Sequence, residues 1–154
     1  DRLDQLLAWQ HRMYRDVSPH DGERVPLFKR AQITAVDLSL AFGGEGPGRF
    51  DDLDRLTMFA DNLVPHVLRL AGVLAYDDAL LARIDADELL EHDSVVEVEI
   101  RAVAVHAVEQ VVAALHDQGL VDATAGQVDM ALWHRGSRPE AKAHKRHRTR
   151  TTAY

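Results

Sequence analysis

The chain has 154 residues, 46% of them apolar and 28% charged, which suits one globular domain and is tight for two. It contains no cysteine, so disulfide frameworks, cysteine-ligated zinc, iron–sulfur clusters and thiol nucleophiles are all excluded. The net charge of −7 is unevenly spread: residues 142–154 hold five basic residues and no acid, which leaves −12 for the rest. Between Asp77 and Glu99 nine acids face a single base, Arg83. Such a surface repels nucleic acid broadly, although the basic end could hold a phosphate locally. No apolar run approaches the roughly 18 residues of a membrane span, and no signal-peptide pattern opens the chain. The first residue, Asp1, points to a processed or trimmed product, and a soluble, intracellular, cytoplasmic protein is expected.

In chain order, Leu3, Leu6, Leu7 and Met13 recur at helical spacing, and Asp16 to Pro26 reads as a polar connector. From Phe28 to Phe42, Ile33, Val36 and Leu40 predict an amphipathic helix. The run from Gly43 to Gly48 ends it. Lacking the Lys-Ser/Thr of a phosphate-cradling loop, that run reads as a turn. Asp51 is a plausible cap for a short helix carrying Leu53, Leu56 and Met58. The next helix should start near Val64-Pro65, since proline is tolerated in a first turn, and its core stripe is Val67, Leu68, Ala71 and Leu74.

Asp78 to Leu90 suggests one or two short helices with an acidic exterior. Ser94 to Gln118 alternates like a strand at its start, but it runs past 20 residues without a breaker, so one long, central helix is expected, stopped by Gly119. A last helix covers Gln127 to His134. The expected fold is all-α: a single helical domain over residues 1–154 with a basic, extended tail at 142–154.

Several polar residues stand out. Asp61 precedes the helix near Pro65, where it either caps that helix or serves as an ionised carboxylate favoured by the helix dipole. Asp129 sits among Val128, Leu132 and Trp133, so it is either on a solvent face or inward and functional. Lys29 and Arg30 are either a solvated pair or an anion site at a helix start. Glu97 and Arg101, four apart, form either a surface ion pair or an internal brace. Nine histidines invite a metal reading, but His144 and His147 have no acidic partner and His106-x-x-Glu109 reverses the di-iron order, so no metal site is expected. No nucleophile elbow is present.

Lys29-Arg30-Ala31-Gln32, Leu56-Thr57-Met58-Phe59-Ala60-Asp61 and Val64-Pro65-His66-Val67-Leu68 occur in that order. Glu97 to Ala102, Asp129 to Trp133, and His147-Arg148-Thr149-Arg150 to Tyr154 follow. With these six segments the chain resembles the queuosine salvage family, the queuosine 5′-phosphate N-glycosylase/hydrolases. The resemblance implies a helical fold akin to helix–hairpin–helix DNA glycosylases and hydrolysis of the N-glycosidic bond of queuosine 5′-monophosphate. The released base, queuine, would return to tRNA modification, with no metal or organic cofactor.

On matching positions the resemblance makes Asp129 the nucleophile or transition-state stabiliser, with Asp61 beside it. Met58, Phe59 and Asp61 would line the base and ribose pocket, and Lys29, Arg148 and Arg150 would meet the phosphate. The chain departs from the family pattern at Asn62-Leu63, His66, Met130-Ala131 and His134. Of these, Asn62, Met130 and His134 are expected to touch the base. Family members are about twice as long, so the resemblance covers their C-terminal half; the chain is then a fragment, a compact variant or one piece of a split protein, and a missing half or a second chain would complete the pocket. Direct nucleic-acid binding is not expected of such an enzyme. The competing expectations are a non-catalytic RNA- or tRNA-binding module gripping through His144 to Arg150, and a partner-docking helical module.

Overall fold

The computed structural model describes residues 14–154. The helix expected around Leu3 to Met13 lies outside the described residues. Two short strands come first, β1 (Val17–His20) and β2 (Glu23–Pro26), paired antiparallel with His20 opposite Glu23. The turn between them is Asp21-Gly22, both at positive φ (48° and 81°), as a two-residue hairpin turn compatible with strand twist requires. The expected polar connector is therefore a hairpin, and the Asp-Gly dipeptide is its signature.

Helix α1 (Lys29–Ala41) forms where expected but turns the other way: Ala31, Gln32 and Ala35 are buried, while Leu40 is 69% exposed. Small residues let α1 lie close to the body, and the bulky Ile33, Val36 and Leu40 remain on its outer flank. The glycine-rich turn then folds back on α1. Gly48 is buried there, because a Cβ at this position would stand 2.5 Å from the Leu38 carbonyl oxygen.

No helix carries Leu56 and Met58. A single 3-10 turn spans Leu53–Arg55, with Asp52 rather than Asp51 at its N-cap, and residues 56–61 run without regular secondary structure. Helix α2 (Val64–Leu70) has Pro65 in its first turn and buries Val67 and Leu68. It stops at Leu70, before Gly72 at φ 74°, so Ala71 is exposed and Leu74 only half-buried, contrary to the expected stripe.

Helix α3 (Asp78–Asp85) is capped by Asp77, whose carboxylate accepts the Leu80 N–H at 2.7 Å. Strand β3 (Leu89–Leu90) follows. Helix α4 (Val95–Asp117) is the long central helix, with Ser94 as N-cap and Gly119 at φ 90° after its end. Its β-branched start is helical because Val98, Arg101, Ala104 and Val108 are buried at helical spacing, and that packing overrides strand propensity. Helix α5 (Ala125–Gly136) opens with a capping box between Thr124 and Gln127.

The basic end does not extend away. It forms the short α6 (Pro139–Lys142) and then β4 (Arg148–Thr149), paired in parallel with β3. The fold is mostly helical, and two small two-stranded sheets depart from the all-α expectation.

One apolar core joins Leu27, Met58, Ala60, Val64 and Leu68 to Ala104, Val108 and Val112 of α4, and a second joins Leu80, Ile84 and Leu90 to Ile100. Helix α5 crosses α2 closely at Gly136, where a Cβ would meet Leu63 and Val67 at 2.7–2.8 Å. That close crossing fixes the height of Asp129 on α5 relative to the irregular segment 56–61. Among the described residues no helix is long and apolar enough to cross a membrane.

Candidate active site

Segment 56–61 has no ladder to satisfy its backbone, so side chains from other elements do so. The Thr57 N–H donates to the Gln32 Oε1 of α1 at 2.8 Å, and the Phe59 N–H donates to Asp129 Oδ1 of α5 at 3.0 Å. The Ala60 carbonyl accepts from Arg101 Nε of α4 at 2.9 Å. At the end of the segment, Asp61 Oδ1 accepts the N–H groups of Leu63 (2.8 Å) and Val64 (3.0 Å), the free donors at the start of α2. Asp61 therefore serves the start of α2, although Leu63 holds the N-cap position itself, and its carboxylate stands near enough to Asp129 to raise that group's pKa.

Asp129 is inward, 4% exposed, and borders a cavity of about 220 Å³. Ile33, Val36, Asp37 and Leu40 form one wall, Met130, Trp133 and His134 the other, with Phe59 and Asp129 between them. The lining is chiefly apolar, so the carboxylate is poorly solvated. Burial, chiefly, and then the Asp61 carboxylate push the Asp129 pKa up to about 7, while the Phe59 N–H bond and the nearby Lys29 ammonium pull the other way. A carboxyl poised near neutrality in a hollow is the kind of group found at functional sites.

The predicted site residues divide clearly. Asp129, Phe59, Met130 and His134 border the cavity; Asp61 and Lys29 flank Asp129 without lining it. Lys29 opens α1, its N–H held by Asp16 Oδ2 at 3.2 Å. Met58 does not line the cavity. Its segment is irregular rather than helical, and its side chain is fully buried in the main core. Asn62 is half-buried and also off the lining.

Arg148 and Arg150 are not brought to the cavity. Arg148 lies on β4 and donates to the Asp87 carbonyl at 3.2 Å, beside Lys145, which meets the Asp87 carboxylate at 2.6 Å; Arg150 is exposed just beyond β4. Their position follows from the pairing of β4 with β3.

Sequence reasoning missed Ile33, Val36, Leu40 and Trp133 as cavity walls. The signal was available in the small residues Ala31 and Ala35 on the opposite face of α1, which mark the side that packs.

Glu97 and Arg101 form the internal brace rather than the surface pair; both are fully buried. Among the described residues one cluster, His92, Asp93 and Glu97, has the geometry to hold a cation. Glu97 is already bonded there by Arg101 at 3.4 Å and by the Asp93 N–H at 3.1 Å, which makes it a poor ligand. His147, expected in an extended tail, is instead buried.

Residues 1–154, the whole chain, match the model of a protein family described as queuosine salvage protein. The chain belongs to the queuosine salvage family. It is 45% identical over 141 residues to a protein of Sphaerobacter thermophilus, covering 92% of this chain and 43% of that protein. To one of Schizosaccharomyces pombe it is 36% identical over 144 residues, covering 94% and 41%. To one of Mus musculus it is 34% identical over 161 residues, covering 99% and 48%. All three bear the name queuosine 5′-phosphate N-glycosylase/hydrolase. This queuosine salvage chain spans less than half the length of those relatives.

Proposed function

We propose that this chain carries the catalytic carboxylate of a queuosine 5′-phosphate N-glycosylase, which hydrolyses the bond between ribose C1′ and the base and releases queuine. The observation behind this reading is Asp129: a buried carboxyl with a pKa near 7, held by the Phe59 N–H between Asp61 and an apolar hollow, in a chain of this family.

Cleavage of a ribosyl C–N bond builds positive charge on the sugar. An ionised Asp129 facing C1′ stabilises that charge, an effect of about 3–4 kcal/mol for a well-placed preorganised group. As the C1′–N bond breaks, its electron pair leaves with the base, which takes a proton from solvent. Water adds to C1′ and gives its proton to Asp129, whose pKa suits it to accept one near neutral pH. The ring of Phe59 serves as a stacking face for the flat base, and Lys29 attracts the 5′-phosphate, whose binding then helps orient the reacting bond.

The cavity of about 220 Å³ is smaller than the ~300–1,000 Å³ of most small-molecule sites. Leu40, Met130 and Trp133 on its rim are 69%, 46% and 47% exposed. Further walls therefore come from a segment or chain that covers this rim, consistent with the length of the relatives. A helical frame of the helix–hairpin–helix glycosylase kind is part of the same reading.

The test is incubation with queuosine 5′-phosphate and mass-spectrometric detection of queuine. Release by the wild type and none by a folded Asp129→Asn supports the assignment. Equal release by both would reject Asp129.

A further inference from the structure

The brace behind the site has a role that stability alone does not explain. Arg101 and Asp16 are fully buried; Arg101 Nη1 meets Asp16 Oδ1 at 3.1 Å, and Nη2 makes a second, short contact with Asp16 Oδ2. Glu97 adds another carboxylate at 3.4 Å, and the Tyr154 ring lies 4.5 Å from the guanidinium carbon. Desolvating such charges offsets much of their attraction, so a buried ion pair is weak evidence for stability as its purpose.

Both partners spend their remaining hydrogen-bonding capacity on backbone next to the site. Arg101 Nε donates to the Ala60 carbonyl, between Phe59 and Asp61, and Asp16 Oδ2 accepts the Lys29 N–H. Among the described residues no second donor holds the Ala60 carbonyl, and the segment carrying it has no sheet or helix of its own. The guanidinium fork can bind a carboxylate through two nitrogens and still present Nε to a carbonyl. Lysine cannot do both.

We propose that Arg101, anchored by Asp16, is a positioning residue that sets the spacing of Phe59, Asp61 and Lys29 around Asp129. It touches no substrate and acts through the backbone. The kinetic part of this inference rests on the glycosylase reading; the structural part does not.

The test is Arg101→Lys in the full chain, read in two ways. Amide hydrogen exchange at Phe59, whose N–H is held by Asp129, should quicken about tenfold, the effect of losing one hydrogen bond's support. Exchange at Leu80, whose N–H is capped by Asp77 in the second core, should not. With queuosine 5′-phosphate, kcat should fall about a hundredfold, as for a small misplacement of reacting groups, while KM rises by a smaller factor, because the displaced Phe59 and Lys29 keep their binding chemistry. Equal exchange increases at Phe59 and Leu80, or an unchanged kcat in an active protein, would overturn the proposal. If the wild type has no activity, the glycosylase reading fails and the exchange comparison alone decides the positioning role. Should Arg101→Lys not fold, Asp16→Asn is read by the same criteria, because it weakens the grip on the guanidinium while keeping an acceptor for the Lys29 N–H.

Discussion

Replacing Asp129 with asparagine should stabilise the protein in alkali while destroying its proposed activity. The carboxyl is 4% exposed and its pKa rises from 3.8 to about 7 on folding. Below pH 4 it is protonated in both the folded and unfolded chain, and ionisation has no effect on stability. As pH rises, the unfolded chain releases its proton first, and the folded chain must bury a charge. Stability is therefore lost between pH 4 and about 7, and the full loss, roughly 4 kcal/mol, persists above that range.

Asparagine keeps an oxygen for the Phe59 N–H and carries no charge, so the variant avoids this loss. For a domain of this size each kcal/mol moves Tm by about 2–4 °C. Thermal melts followed by far-ultraviolet circular dichroism should show Asp129→Asn melting about 8–16 °C above wild type at pH 8.5, with the gap closing toward pH 4. Equal melting at pH 8.5, or a gap independent of pH, would refute the account of a desolvated carboxylate beside Asp61.

On the proposed glycosylase reading, the same carboxylate should set the pH dependence of turnover. If ionised Asp129 is required, kcat/KM should rise with pH through a midpoint near 7 in wild type. Asp61→Asn removes the second contributor to that shift, so the rising limb should move to lower pH in a rate–pH profile. Phe59→Ala should weaken nucleotide binding by about 1–3 kcal/mol, the worth of one stacking face, measured by calorimetry with queuosine 5′-phosphate. Gly136→Ala should cost about 1–3 kcal/mol in urea denaturation, because the added methyl meets Leu63 and Val67 in the α2–α5 crossing.

What the sequence revealed followed from how local the determining interactions are. Helices α1, α2 and α4 carry their own punctuation: the glycine-rich run 43–48 after α1, Pro65 in the first turn of α2 and Gly119 as the stop of α4. Their existence was legible for that reason, whereas the unread Thr124 cap puts the start of α5 two residues before the expected Gln127. The rotation of α1 was not, because Ile33, Val36 and Leu40 have the spacing of a core stripe and only the packing of Ala31 and Ala35 shows which face is inside. The hairpin at Asp21-Gly22 was legible but overshadowed by the polarity of its flanks. Arg148 and Arg150 lie in a segment whose path depends on Asp87, some sixty positions away, and no local pattern places them. Asp129 could be narrowed to two readings by its apolar neighbours, and tertiary structure shows that its side chain is turned inward.

The arrangement also explains why the site lies on the least regular stretch of the chain. A strand or helix would have used the Phe59 N–H and the Ala60 carbonyl in its own ladder. Left irregular, residues 56–61 offer those groups to Asp129 and Arg101, and so join α5 and α4 across the core. The Phe59 N–H therefore holds a carboxyl in place where water is scarce, while opposing part of the rise in its pKa. Regular packing from α4 and the α2–α5 crossing supplies rigidity around the segment, and the segment itself supplies the polar groups. If that division holds, substitutions that loosen 56–61 should lower turnover well before they lower the melting temperature, whereas core substitutions at Val108 or Leu68 should lower both together.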